Sequence, residues 1–66
     1  MPFGICPFSV IPVRSMPSHR SELLSQLLFG ELFEILETRG RQWYRVRCSS
    51  DHFVGWVEQA QCKLIT

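Results

Sequence analysis

No surplus of charge of either sign marks this sequence: seven Lys and Arg stand against six Asp and Glu, for a formal net charge of +1. A domain that grips nucleic acid through its phosphates carries a strong basic excess, so nucleic acid is not expected as a partner. No run reaches the roughly 18 apolar residues that a membrane-crossing helix needs. Even Leu23 to Phe29 is interrupted by Ser25 and Gln26, and a soluble chain with no membrane partner is expected. The amino terminus, Met1-Pro2-Phe3-Gly4-Ile5-Cys6-Pro7, has no basic segment leading into an apolar run, so no export signal is read in it.

Cysteine is scarce as well. Cys6, Cys48 and Cys62 are odd in number and include no C-x-x-C pair, which excludes a disulfide framework and a paired redox or zinc motif. A zinc site from these cysteines and a histidine needs distant segments to converge, so no metal and no other cofactor is expected.

What is present is apolar: 45% of the 66 residues are hydrophobic and 12% aromatic. That is ample for a packed interior and too little chain for two, so residues 1–66 are read as one domain and as a monomer.

Cys6 to Arg14 mixes β-branched and aromatic residues with two prolines, as an edge strand does. Ser15 to Ser21 is rich in Ser and Pro and reads as an exposed loop. Over Ser21–Leu28, propensity alone allows a short helix: Ser21 can cap it, and Leu23, Leu24, Leu27 and Leu28 share a helical face. Gly30 cuts it short. Phe33–Glu37 alternates in the main, Thr38-Arg39-Gly40-Arg41 is a turn cluster, and Trp43–Cys48 alternates strictly, which predicts a hairpin. Tyr44, Val46 and Cys48 then point inward, while Trp43 covers the opposite face with Arg45 and Arg47. After the turn signal Ser49-Ser50-Asp51-His52, Phe53–Glu58 makes a third strand whose central Gly55 marks a close backbone approach. Gln59–Cys62 fits one 3₁₀ turn and Lys63–Ile65 a last strand. Short strands at this spacing predict an all-β small barrel with a long first loop and one 3₁₀ turn. Trp56 is assigned to its core.

Four blocks in order, Val13-Arg14-Ser15-Met16-Pro17-Ser18, Leu27-Leu28-Phe29-Gly30-Glu31, Trp43-Tyr44-Arg45-Val46-Arg47 and Gly55-Trp56-Val57, resemble the bacterial SH3 domain over nearly the whole chain. Each has a physical role. Gly30 supplies the positive φ of a turn, Gly55 lets strands cross, and the tryptophans supply large buried areas. More narrowly, Ser9–Arg14, Ser21-Glu22 and Gln26–Glu31 resemble the amino-terminal SH3 domain of NlpC-type cysteine peptidases, which cut γ-D-glutamyl-diamino acid bonds in cell-wall peptides. The Asp-Cys-Ser-Gly sequence of their catalytic domain is absent, so no enzymatic activity is expected of this chain. The resemblance implies an NlpC-type catalytic domain as partner. It also implies a recognition or gating role toward cell-wall peptides with a free amino-terminal L-Ala-γ-D-Glu unit. Its location would be the cell envelope or periplasm if the full-length form is exported, and the cytoplasm otherwise.

The same resemblance implies substrate-binding roles for Glu22, Arg14 with its loop to Ser18, Asp51 and Phe53. Two positions depart from the family pattern: Met16, where relatives often carry an acidic residue, and Phe53, where they often carry tyrosine. The alternative is an SH3-like protein-interaction module without a peptidoglycan role. A grip on proline-rich ligands is disfavoured because it needs several groove tyrosines and Tyr44 is alone. Cys48 with His52 as nucleophile and base is disfavoured because Cys48 falls on the inward face of a strand.

Overall fold

The computed structural model describes residues 2–50 and 52–65. Seven strands follow in chain order: β1 (Phe3–Ile5), β2 (Val10–Arg14), β3 (Leu23–Leu28), β4 (Leu32–Arg39), β5 (Trp43–Cys48), β6 (Val54–Glu58) and β7 (Lys63–Leu64), with a 3₁₀ turn (Gln59–Gln61) before β7. All pair antiparallel in one sheet of order β3-β2-β6-β5-β4-β1-β7. Laid flat, seven strands would form a slab about 30 Å wide and about 10 Å thick. The observed extents of 27 × 21 × 20 Å require the sheet to curl around its own inner face, as in a small SH3-like barrel.

The inner face holds Cys6, Ile11, Val13, Leu27, Phe33, Ile35, Val46, Cys48 and Val57, with Tyr44 and Cys62 packed against them. The β4–β5–β6 meander, its hairpin turn, the 3₁₀ turn and the inward set on β5 agree with the sequence expectation. Gly30 has φ +83° in the turn between β3 and β4. A side chain there would be strained although nothing lies within 4 Å of its position. We therefore expect Gly30→Ala to lower stability by about 1 kcal/mol in urea titration, with the spectrum of the folded state unchanged.

Two expectations are corrected. Ser21–Leu28 is not helical: Leu23–Leu28 is strand β3, laddered onto β2 from Val10↔Leu28 to Arg14↔Leu23. Of its four leucines only Leu27 is buried, because a strand can turn just one of that pair inward. An eight-residue helix would not sustain itself without a packed face. The first strand is not an edge: β2 lies between β3 and β6, while β1 pairs with β4 and β7. Pro12 is tolerated because β6 reaches β2 only at Arg14↔Trp56, so no ladder runs along that side at Pro12. Trp56, 8% exposed, is buried as expected, and it packs on the outer face of the sheet rather than within the main core cluster. Its neighbours Gly55 and Val57 are the inward residues of β6.

Candidate functional site

Alternation along four strands builds the outer face. Arg14 on β2 stands opposite Trp56 on β6, Trp56 stands opposite Arg45 on β5, and Arg45 stands opposite Glu37 on β4. Directly opposed residues of antiparallel strands share a face, so this row crosses the sheet as Glu37, Arg45, Trp56, Arg14. Glu37 reaches that face through a β-bulge. The β4–β5 register shifts between Ile35 and Glu37, which absorbs Leu36 and returns Glu37 and Arg39 to the outside. One position along, Trp43 stands opposite both Arg39 and Glu58.

Two tryptophans thus lie on the face away from the core, and polar side chains cover them. The Arg39 guanidinium sits 4.9 Å from the Trp56 ring centroid, a cation–π arrangement, and donates to the Glu37 carboxylate at 2.9 Å. His19, from the loop between β2 and β3, packs on Trp43 with ring centroids 5.1 Å apart and brings Nε2 within 2.8 Å of a Glu58 carboxylate oxygen. The loop is tied at its base as well. Arg14 Nη1 donates to the Ser21 carbonyl at 3.0 Å, and the Ser21 hydroxyl lies 2.9 Å and 2.7 Å from the carbonyls of Met16 and Ser18.

Between this loop and the β4–β5 hairpin lies an open cleft of about 370 Å³, lined by Ser15, Glu37, Arg39, Arg45, Val54, Gly55 and Trp56. Its lining carries two guanidiniums, a carboxylate and a hydroxyl, with the Trp56 indole, 8% exposed, under the Arg39 guanidinium. Such a surface holds a short polar ligand by an apolar contact and a few directed bonds. A second cleft of about 360 Å³ lies near Phe3, Glu34, Arg47 and His52, where Arg47 pairs with Glu34.

Of the residues assigned from the resemblance, Arg14 borders the first cleft through its pairing with Trp56. Glu22 is exposed at the end of the loop, and its carbonyl accepts the Ser15 N–H at 2.9 Å. Phe53 is 36% exposed beside the β5–β6 turn and its carbonyl accepts the Cys48 N–H, so neither it nor Glu22 lines the cleft. Asp51 lies outside the described residues. Sequence reasoning missed Glu37, Arg39 and Arg45. The signal available was the alternation that set Trp43 outward, since the same rule applied from Val57 sets Trp56 outward too.

The cysteines do not form a reactive centre. Cys6 and Cys48 are buried, and all three are free thiols. Burial, with a smaller contribution from Cys6, pushes the Cys62 thiol from an ordinary 9.0 up to about 12. Among the described residues no group of three His, Cys, Asp or Glu could hold a metal ion. The raised Cys62 value predicts the sign of a pH effect. Above pH 9 the unfolded chain releases this proton while the folded chain keeps it, so stability falls as pH rises from about 9 toward 12. Thermal melts at rising pH should show this decline, shallower in Cys62→Ser; equal slopes for the two proteins would sink the idea.

A curled antiparallel sheet with its core on one face and an aromatic, charged cleft on the other is the architecture of a small SH3-type domain. The chain matches the bacterial dipeptidyl-peptidase SH3 domain over residues 13–61 and belongs to that family. No curated protein and no solved structure matches it.

Proposed function

We propose that this domain is the recognition module of a bacterial cell-wall peptidase of the NlpC type, reading substrate peptides that carry a free amino-terminal L-Ala-γ-D-Glu unit. The observation that carries the reading is the cleft over Trp56, where Glu37 stands beside Arg39 and Arg45. A peptide of this class presents an ammonium, a methyl group and a carboxylate within a few bonds. Carboxylate, indole and guanidinium are their respective complements. Family membership supports the peptidase context. Glu37 in the cleft wall would exchange its Arg39 partner for the ammonium, while Glu22 lies on the neighbouring loop outside the cleft lining and would be reached only by a longer ligand.

The cleft is open, so the isolated domain is expected to bind with a dissociation constant on the order of 1 mM, and a catalytic neighbour would complete the enclosure. NMR titration with L-Ala-γ-D-Glu peptides, free or acetylated at the amine, tests this. Acetylation should weaken binding about tenfold, and Glu37→Gln should remove that difference. Equal affinity for both forms would remove the recognition role. One feature favours the second reading, a protein-interaction module without a cell-wall role. Strand β3, Leu-Leu-Ser-Gln-Leu-Leu, is a sheet edge without charge or proline, and it exposes Leu23, Leu24 and Leu28. Such an edge invites pairing with another chain.

A further inference from the structure

The three arginines in or beside the Trp56 cleft are not equivalent. Arg39 is engaged twice, by the Glu37 carboxylate and by the Trp56 ring. Arg14 is engaged by the Ser21 carbonyl. Arg45 lines the cleft opposite both Glu37 and Trp56, yet Glu37 turns to Arg39, and among the described residues Arg45 has no ion pair or side-chain hydrogen bond. Its five N–H donors are therefore open to a ligand.

Charge points the same way. Arg39 and Arg45 line the cleft against the one carboxylate of Glu37, which Arg39 already engages, on a chain whose formal net charge is only +1. The cleft lining thus carries more positive than negative charge, with the Trp56 ring lying under the Arg39 guanidinium. An anionic group is favoured there, and a planar one that accepts two parallel bonds is favoured most.

We propose that Arg45 is the anion-recognising residue of the cleft, taking a free carboxylate of a short acidic peptide that lies beside Trp56. This rests on the reading that the cleft takes a cell-wall peptide. A D-glutamate linked through its γ-carboxyl leaves its α-carboxylate free, and amidation of that group removes the charge. Arg45 would thus distinguish peptides bearing the free acid from those bearing the carboxamide.

The test is an NMR titration of the 66-residue domain, following the Trp56 indole signal, with L-Ala-γ-D-Glu-L-Lys amide and its α-carboxamide counterpart. In the first, the D-glutamate carboxylate is the only carboxylate. The wild-type domain should bind the acid about tenfold more tightly than the carboxamide. Arg45→Gln should bring the two within about twofold, Arg45→Lys should fall between, and Arg41→Gln, an equal charge change at the hairpin turn, should preserve the full ratio. Thermal melts matching the wild type establish that the variants are folded, as expected for an exposed side chain.

Equal binding of acid and carboxamide by the wild type, or a ratio that survives Arg45→Gln, overturns the assignment. If amine acetylation has no effect while the acid preference and its loss in Arg45→Gln persist, the amine-recognition reading fails and the role of Arg45 stands. If neither peptide moves the Trp56 signal, both fall.

Discussion

Gly55→Val should abolish cooperative folding. Strand β6 crosses β2 at this residue, where a Cβ would collide with Val13 Cγ1 and lie 3.0 Å from the Arg14 carbonyl oxygen. Val13 is fully buried, so its methyl has nowhere to go, and the carbonyl belongs to the strand pairing with Trp56. Making room would separate β2 from β6, and with them the loop and the sheet that form the two sides of the cleft. Overpacking in a core costs about 1–3 kcal/mol, and a backbone collision adds to it. A domain of this size has little more than about 3–5 kcal/mol in total. Circular dichroism and a urea titration decide the matter; a sigmoidal transition with the wild-type midpoint would refute the close approach.

The second large effect contrasts two aromatic residues. Phe33→Ala should destabilise the domain by about 3–5 kcal/mol, because Phe33 is fully buried in the core and its deletion leaves a cavity that the neighbours cannot fill. Trp56→Ala removes a larger side chain but should cost only about 2 kcal/mol. The space it vacates opens onto the cleft and fills with water, so the transfer contribution is lost without the cavity contribution. Trp56→Ala should therefore unfold cooperatively at a lowered midpoint and lose peptide binding, whereas Phe33→Ala should be largely unfolded. A Trp56→Ala protein as damaged as Phe33→Ala would return Trp56 to the core.

These contrasts show which inferences local pattern supports. Strict alternation from Trp43 to Cys48 places Val46 and Cys48 inward and Trp43 outward, because side-chain direction in a strand follows from the backbone alone. The glycines are legible for the same reason: Gly30 needs a positive φ, and Gly55 sits mid-strand where a missing side chain signals another backbone. The leucines of β3 mislead, since Leu-Leu-Ser-Gln-Leu-Leu satisfies a helical stripe as well as a strand. Only pairing with β2 selects between them.

The sequence by itself determined the β4–β5–β6 meander and the 3₁₀ turn, which rest on contacts between segments adjacent in the chain, and it carried the all-β expectation and the bacterial SH3 resemblance. The cleft was decided by tertiary structure. Trp56 enters it because β2 approaches β6 at Arg14, Glu37 because a bulge absorbs Leu36, and the loop closes over Trp43 because His19 meets Glu58 from the far end of the sheet path. Each depends on partners separated by many residues or on a one-residue register shift. A register shift of one exchanges the two faces of a strand, so alternation along β5 places Arg45 outward but spacing along β4 cannot place Glu37 and Arg39.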